Sequence, residues 1–220
     1  MYTDIVGFTA LTQQDEPLAL ELLDEHRKQI RPLLTQHGGR EVKTLGDGFV
    51  VEFAETLNAL RCGVEIQHTF FERNRRFPTR RIDLRIGIHA GDVTPEGDDL
   101  LGDTVNVASR IVPMSEPGGV CISRVVLDEA KDQLPQPCTP LGPSPLKGVA
   151  LPVSLYRIDL PWRVAPGAPG PVPPSPPGRW DPSVQESPLV GRSEEVDRLQ
   201  VFVDSIPQGK GGALFLCGDA

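Results

Sequence analysis

The sequence predicts an α/β sandwich of the α+β kind, with helices laid on a largely antiparallel sheet. Helical and β-type hydrophobic patterns alternate from the first residues to about residue 160. Gly46-Asp47-Gly48 lies between two β-prone runs, a tight-turn signal that pairs neighbouring strands antiparallel. Ile82, Leu84, Ile86 and Ile88 alternate with Asp83, Arg85, Gly87 and His89, as a strand with one buried face requires.

Taken in order, Tyr2 to Leu11 reads as a strand end, a Gly-containing turn and a helix start. A helix follows Pro17, because Leu22, His26, Ile30 and Leu34 recur at four-residue spacing. Asp15 is its expected N-cap, Pro17 suits the first turn, and Gly38-Gly39 ends it. Pro32 removes an interior hydrogen bond and is expected to kink the last turns. Val42–Leu45 and Phe49–Phe53 form the hairpin arms, with Phe49, Val51 and Phe53 on one face. Leu57, Leu60, Val64 and Phe71 mark the apolar face of a second helix. After the Ile82–Ile88 strand, a polar loop leads to a helix starting near Thr104. Short strands around Val120–Ile122 and Val153–Tyr156 complete the domain.

Composition narrows the classes of function. A net charge of −8 argues against a nucleic-acid surface. No apolar run is long enough to span a bilayer and no signal peptide is evident, so a cytoplasmic location is expected. Cys62, Cys121, Cys138 and Cys217 are scattered without a CxxC pair, a pattern of reduced thiols. Arg73, Arg75, Arg76, Arg80 and Arg81 cluster around Pro78 and read as a solvated helix end. Ten of the 23 prolines fall between Pro161 and Pro188, which marks residues 161–187 as a stiff, extended linker. Domain one therefore spans 1–160, and a further segment begins at 188.

Four segments carry chemistry. Asp4-Ile5-Val6-Gly7-Phe8-Thr9 offers a carboxylate beside backbone N–H groups that can cradle phosphates. Lys43-Thr44-Leu45-Gly46-Asp47-Gly48 sets a second carboxylate at a hairpin tip. Two carboxylates on adjacent strand ends suit a pair of Mg²⁺ ions that also bind a triphosphate. The third is Arg85 to Val93, and the fourth runs from Asp99 to Arg110. In the fourth, Asn106 and Arg110 are four apart and share a helix face.

In this order and spacing, the four segments resemble the catalytic domain of class III adenylate and guanylate cyclases over residues 1 to about 158. Lys147-Gly148 and Tyr156-Arg157-Ile158 extend the likeness. The resemblance implies that Asp4, Asp47 and the Ile5 carbonyl bind two Mg²⁺ (or Mn²⁺) ions. Gly7, Phe8 and Thr9 would face the triphosphate, with Arg85 and Lys147 as phosphate contacts. Lys43 and Asp99 match the pair that reads the adenine edge, where guanylate cyclases typically carry Glu and Cys. Asn106 matches the ribose-orienting asparagine, and Arg110 the arginine that stabilises charge at the reacting phosphate. His89 is expected to be structural. The implied reaction is attack of the ribose 3′-oxygen of ATP on the α-phosphorus, in a homodimer whose sites are shared between chains. A guanylate cyclase and a non-catalytic dimerisation module are the competing readings.

Only Met1, Tyr2 and Thr3 precede Asp4, so the first strand is expected to be cut short of the usual ~5–6 residues. Residues 188–220, with Leu189-Val190-Gly191-Arg192 and an apolar run into Gly218, resemble the entry to a P-loop ATPase domain.

Overall fold

The sheet-forming runs assemble in the computed structural model, which describes residues 1–97, 99–130 and 133–163. Strands β1 (Tyr2–Ile5), β2 (Arg40–Leu45), β3 (Gly48–Glu52), β4 (Leu84–Ile88), β7 (Gly119–Ser123), β8 (Cys138–Ser144) and β9 (Val153–Ile158) form one seven-stranded sheet. Its order is β2-β3-β1-β4-β7-β9-β8. Only β4 with β7 is parallel; every other pairing in the sheet is antiparallel. A separate two-stranded ribbon pairs β5 (Thr94–Glu96) with β6 (Asp99–Leu101). The helices are α1 (Phe8–Gln14), α2 (Glu16–Gln36), α3 (Thr56–Arg76), α4 (Asp103–Ile111) and α5 (Arg124–Glu129).

Helix α2 begins as expected, with the Asp15 carboxylate accepting from Leu18 N–H at 3.0 Å and Pro17 in the first turn. It continues for one turn past Pro32, and Gly39 N–H then closes it on the Leu34 carbonyl at 2.8 Å. The row Leu22, His26, Ile30 and Leu34 is buried as expected.

The buried face of α3 differs from the expected one. Leu60 lies on it, but Leu57, Val64 and Phe71 flank it, while Cys62, Ile66 and Phe70 occupy its centre. The hydropathy pattern misled because polar residues share that face, each satisfied by a hydrogen bond. Gln67 Nε2 donates to the carbonyls of Leu84 and Gly119, tying together the starts of β4 and β7. Asn74 and Ile82 exchange side-chain-to-backbone bonds at 2.9 Å. Arg73, expected on a solvated end, is buried and grips the Glu25 carboxylate of α2 at 2.7 and 2.9 Å. Arg75, Arg80 and Arg81 pair with Glu72, Glu21 and Asp83.

Period-two alternation divides the sheet into two faces. Ile5, Phe49, Val51, Ile86, Ile88, Val120 and Ile122 point toward α2 and α3 and form the main core. On the opposite face, α4 packs through Val107 and Ile111 onto Cys121, Leu155 and Leu146, a much smaller cluster. The described structure ends in a 3₁₀ turn, Pro161–Arg163, whose Trp162 ring lies 4.8 Å from that of His68. The expected linker of 161–187 therefore starts too early, because Pro161–Arg163 pack on the domain as this turn; its remainder and the 188–220 segment lie outside the described residues. No described helix is long and apolar enough to cross a membrane.

Candidate active site

The smaller face carries the chemistry. Strand register places Tyr2 opposite Val50 and Gly87, and Lys43 opposite Val50. Asp4 faces Arg85 across the β1–β4 pair. Lys43, Tyr2, Asp4 and Arg85 therefore project from the side on which α4 sits.

The β2–β3 turn presents Asp47. Gly46 adopts φ +61°, which a side chain would disfavour. A Cβ on Gly48 would stand 2.2 Å from the Thr3 carbonyl oxygen, so the hairpin can approach β1 this closely only with glycine there. Asp47 Oδ2 accepts from Ile5 N–H at 3.0 Å, and Phe49 N–H donates to Thr3 Oγ1 at 3.0 Å. These two bonds lock the turn onto β1 and bring Asp47 beside Asp4. Burial holds the Asp4 carboxyl above its ordinary pKa; the Asp47 charge adds to this and Arg85 opposes it. The Arg85 Nε is buried without a partner.

Two half-buried carboxylates and a backbone carbonyl form a set of hard oxygen donors. No group of three or more His, Cys, Asp or Glu converges among the described residues. Asp4 and Asp47 fit a divalent cation that draws its remaining ligands from water, carbonyl groups or a phosphate chain. Gly7, Phe8 and Thr9 follow β1 directly, with Gly7 as the cap of α1 and Phe8 as its first residue.

Lys43 and Asp99 meet although 56 residues apart: the Lys43 Nζ lies 2.7 and 2.6 Å from the two Asp99 oxygens. A register shift between Glu41 and Lys43 bulges the edge strand, a feature that re-aims the following side chain. Their mutual hydrogen bond raises the Lys43 pKa and lowers that of Asp99, and Leu100 N–H further favours the Asp99 anion. Tyr2 stands in the fields of both charges, although burial is what mainly raises its hydroxyl pKa. Sequence reasoning missed Tyr2, yet its place two residues before Asp4 on one strand was signal enough to put both on the same face.

Asn106 and Arg110 lie one turn apart on α4, both exposed. Neither side chain bonds another described residue. A concavity of about 240 Å³ beside Asp4 is lined by Tyr2, Leu45, Ser109 and Pro113 among others, but not by Asn106 or Arg110. Lys147 is exposed just after Leu146, which anchors its loop to the α4 cluster. One chain thus brings Asp4, Asp47 and Arg85 together, and separately Lys43 and Asp99, while Asn106, Arg110 and Lys147 make no side-chain hydrogen bond or ion pair with either group. His89 is half-buried and its Nδ1 lies 2.7 Å from Ser123 Oγ, a structural setting.

The fold is a mixed α/β domain whose sheet is largely antiparallel and leaves part of one face open. Residues 1–159 match the sequence model of the Adenylate and Guanylate cyclase catalytic domain, and the chain belongs to that family. A protein of Rhizobium meliloti (strain 1021) named "Putative adenylate cyclase 3" is 43% identical over 122 residues, covering 54% of this chain and 21% of that protein. Serine/threonine-protein kinase pkn2 of Myxococcus xanthus is 30% identical over 171 residues, covering 77% of this chain and 20% of that protein. The matches thus span about a fifth of the length of these curated relatives. The crystal structure of an adenylate/guanylate cyclase/hydrolase from Silicibacter pomeroyi superposes with a TM-score of 0.67 at 37% identity, covering 71% of this chain and 92% of that one.

Proposed function

We propose that the domain is an adenylate cyclase, converting ATP to 3′,5′-cyclic AMP and pyrophosphate at sites shared between two copies of the chain. The observation that carries the choice of base is the Lys43–Asp99 pair, held at 2.6 Å on the open face. An ammonium donates to a ring nitrogen of adenine, and a carboxylate accepts from its exocyclic amine. Guanine offers O6, an acceptor, where the carboxylate also needs a donor.

Asp4 and Asp47 would hold two Mg²⁺ or Mn²⁺ ions, with the Ile5 carbonyl as a further ligand. Bound there, the ions would make the ribose 3′-hydroxyl more acidic and neutralise the triphosphate. Gly7 to Thr9 present backbone N–H groups toward that chain, and Arg85 and Lys147 add positive charge. Asn106 orients the ribose, and Arg110 stabilises charge at the α-phosphate. The exposed, unbonded state of Asn106 and Arg110 supports a role toward a second chain. So do the exposed apolar side chains Leu45 (52%), Leu101 (46%) and Met114 (43%), on or beside the elements that carry the site residues. A two-fold pairing of open faces would create two equivalent sites.

In this reading the domain acts in the cytoplasm, residues 164–187 space it, and residues 188–220 open a P-loop ATPase domain. Incubating the purified chain with Mn²⁺ and either ATP or GTP, then separating the cyclic products, tests the reaction. Cyclic AMP in excess is the expected result; cyclic GMP in excess assigns the domain to guanylate cyclases, and neither product removes the enzyme reading.

A further inference from the structure

Helix α2 turns two arginines toward the edge hairpin, one helical turn apart. Arg31 is spent on a carboxylate, its Nε and Nη2 lying 3.0 and 3.1 Å from Glu41 of β2. Arg27 has no carboxylate partner among the described residues. Its Nη2 donates to the Gly46 carbonyl at 3.0 Å, and its Nε is buried without a partner.

That single bond falls at a sensitive place. The inner half of the β2–β3 turn is fixed by the bonds from Ile5 N–H to Asp47 and from Phe49 N–H to Thr3. Its outer half, Leu45 and Gly46, is exposed, and Gly46 has no side chain to pack. Arg27 supplies the side-chain bond to that outer half. The peptide that begins with the Gly46 carbonyl ends at Asp47 nitrogen, so holding this carbonyl fixes the plane from which the Asp47 side chain departs.

We propose that Arg27 is a positioning residue for the divalent-cation site, acting through the Gly46 carbonyl to keep Asp47 presented beside Asp4. The inference rests on the metal-binding reading of those two aspartates. Arg31 is the natural control: it grips Glu41 at the far end of the same edge strand and lies over the Phe49 ring, 5.8 Å from its centroid, but makes no hydrogen bond to the turn.

The test is a titration of the 220-residue chain with Mn²⁺ alone, reading free ion by electron paramagnetic resonance, with a melting curve for each variant. The wild-type chain is expected to bind Mn²⁺ and Asp47→Asn to lose that binding. Arg27→Met and Arg27→Gln should each weaken it about tenfold, the scale of one charge-assisted hydrogen bond. Arg27→Lys keeps length, charge and one donor, and should recover most of the loss. Arg31→Met should lower Tm at unchanged Mn²⁺ affinity. Arg27→Gln retains a polar, helix-compatible side chain and carries the test if Arg27→Met does not fold. Wild-type affinity in the Arg27 variants, with Asp47→Asn still deficient, overturns the Arg27 assignment alone. An equal loss in Arg31→Met does the same, because the effect would then be one of edge-strand stability. Mn²⁺ binding indifferent to Asp47→Asn overturns this inference and the metal reading together.

Discussion

The two faces of the sheet are built from the same strands and behave as opposites. Toward α2 and α3 the strands turn mostly apolar, buried side chains, and the polar intruders Gln67, Arg73 and Asn74 are tied to neighbours, with His26 the exception among those described. Toward α4, five buried residues suffice for a core, and the β2–β3–β1 end of the sheet is left with Lys43, Asp4, Tyr2 and exposed Leu45. The first face holds the fold together. The second presents charged groups on an open surface, with Lys43 and Asp99 paired to each other. Strand period is the device that joins them: Thr3 and Ile5 serve one face while Tyr2 and Asp4 serve the other.

If that division holds, substitutions on the two faces should separate activity from stability. The largest effect belongs to Asp47→Asn, which removes charge from the proposed metal ligand at a turn. Turnover is expected to fall by at least about a hundredfold, with Tm within a few degrees of wild type. On the closed face, Phe70→Ala should cost about 3–5 kcal/mol of unfolding free energy, measured by denaturant titration, because a fully buried ring is deleted. Exchanging the proposed base-reading pair, Lys43→Glu with Asp99→Cys, should shift the ATP-to-GTP preference by about tenfold or more toward GTP while leaving Tm little changed. An unmoved preference would remove these residues from the purine pocket.

A subtler probe of the closed face is pH. His26 is fully buried between the rings of Phe49 and Phe70, with neither ring nitrogen hydrogen-bonded. Burial, helped by the Arg27 charge, lowers its pKa to about 3. The unfolded chain protonates this histidine near its ordinary value of 6.5, so between 6.5 and about 3 the unfolded state binds the extra proton. Stability from this group is therefore whole above 6.5 and is lost as pH falls toward 3. Between pH 7 and pH 5 the loss should be about 2 kcal/mol, and His26→Leu should remove that part of the acid slope. The smallest effect is expected at Leu45→Ser on the open face, within about 0.5 kcal/mol for the isolated chain.

Much of the closed face was legible beforehand, and the reason is periodicity. The α2 row, the glycine hairpin and the Ile82–Ile88 strand announce themselves through spacing alone. The α3 face was misplaced because Gln67 and Asn74 look like solvent residues until their carbonyl partners are known. Strand β8 was not read because Pro140 and Pro143 argue against a strand, yet an edge strand tolerates proline. The β5–β6 ribbon has the sequence of a loop, because each arm has three residues and one includes Pro95. At the site, the turn could be read from Gly46-Asp47-Gly48, but the meeting of Lys43 with Asp99 came only from family likeness. Nothing in local spacing brings together residues so far apart, and the bulge before Lys43 leaves no sequence mark. Arg27 leaves no mark in the sequence, because it sits beside the apolar row of α2 and looks like an ordinary solvated arginine.

The central claim is that one chain supplies Asp4 and Asp47 and its partner supplies Lys43, Asp99, Asn106 and Arg110. Asp47→Ala and Arg110→Ala homodimers should each be inactive, because every site in them carries a lesion. In a mixed dimer both lesions fall in one site and the other is whole. With equal mixing about half the dimers are mixed, so roughly a quarter of wild-type activity should return. The measurement is cyclic AMP formation after subunit exchange between the two inactive proteins, with exchange verified by differently tagged chains. Recovery near that level supports the shared site; no recovery despite verified mixed dimers contradicts it.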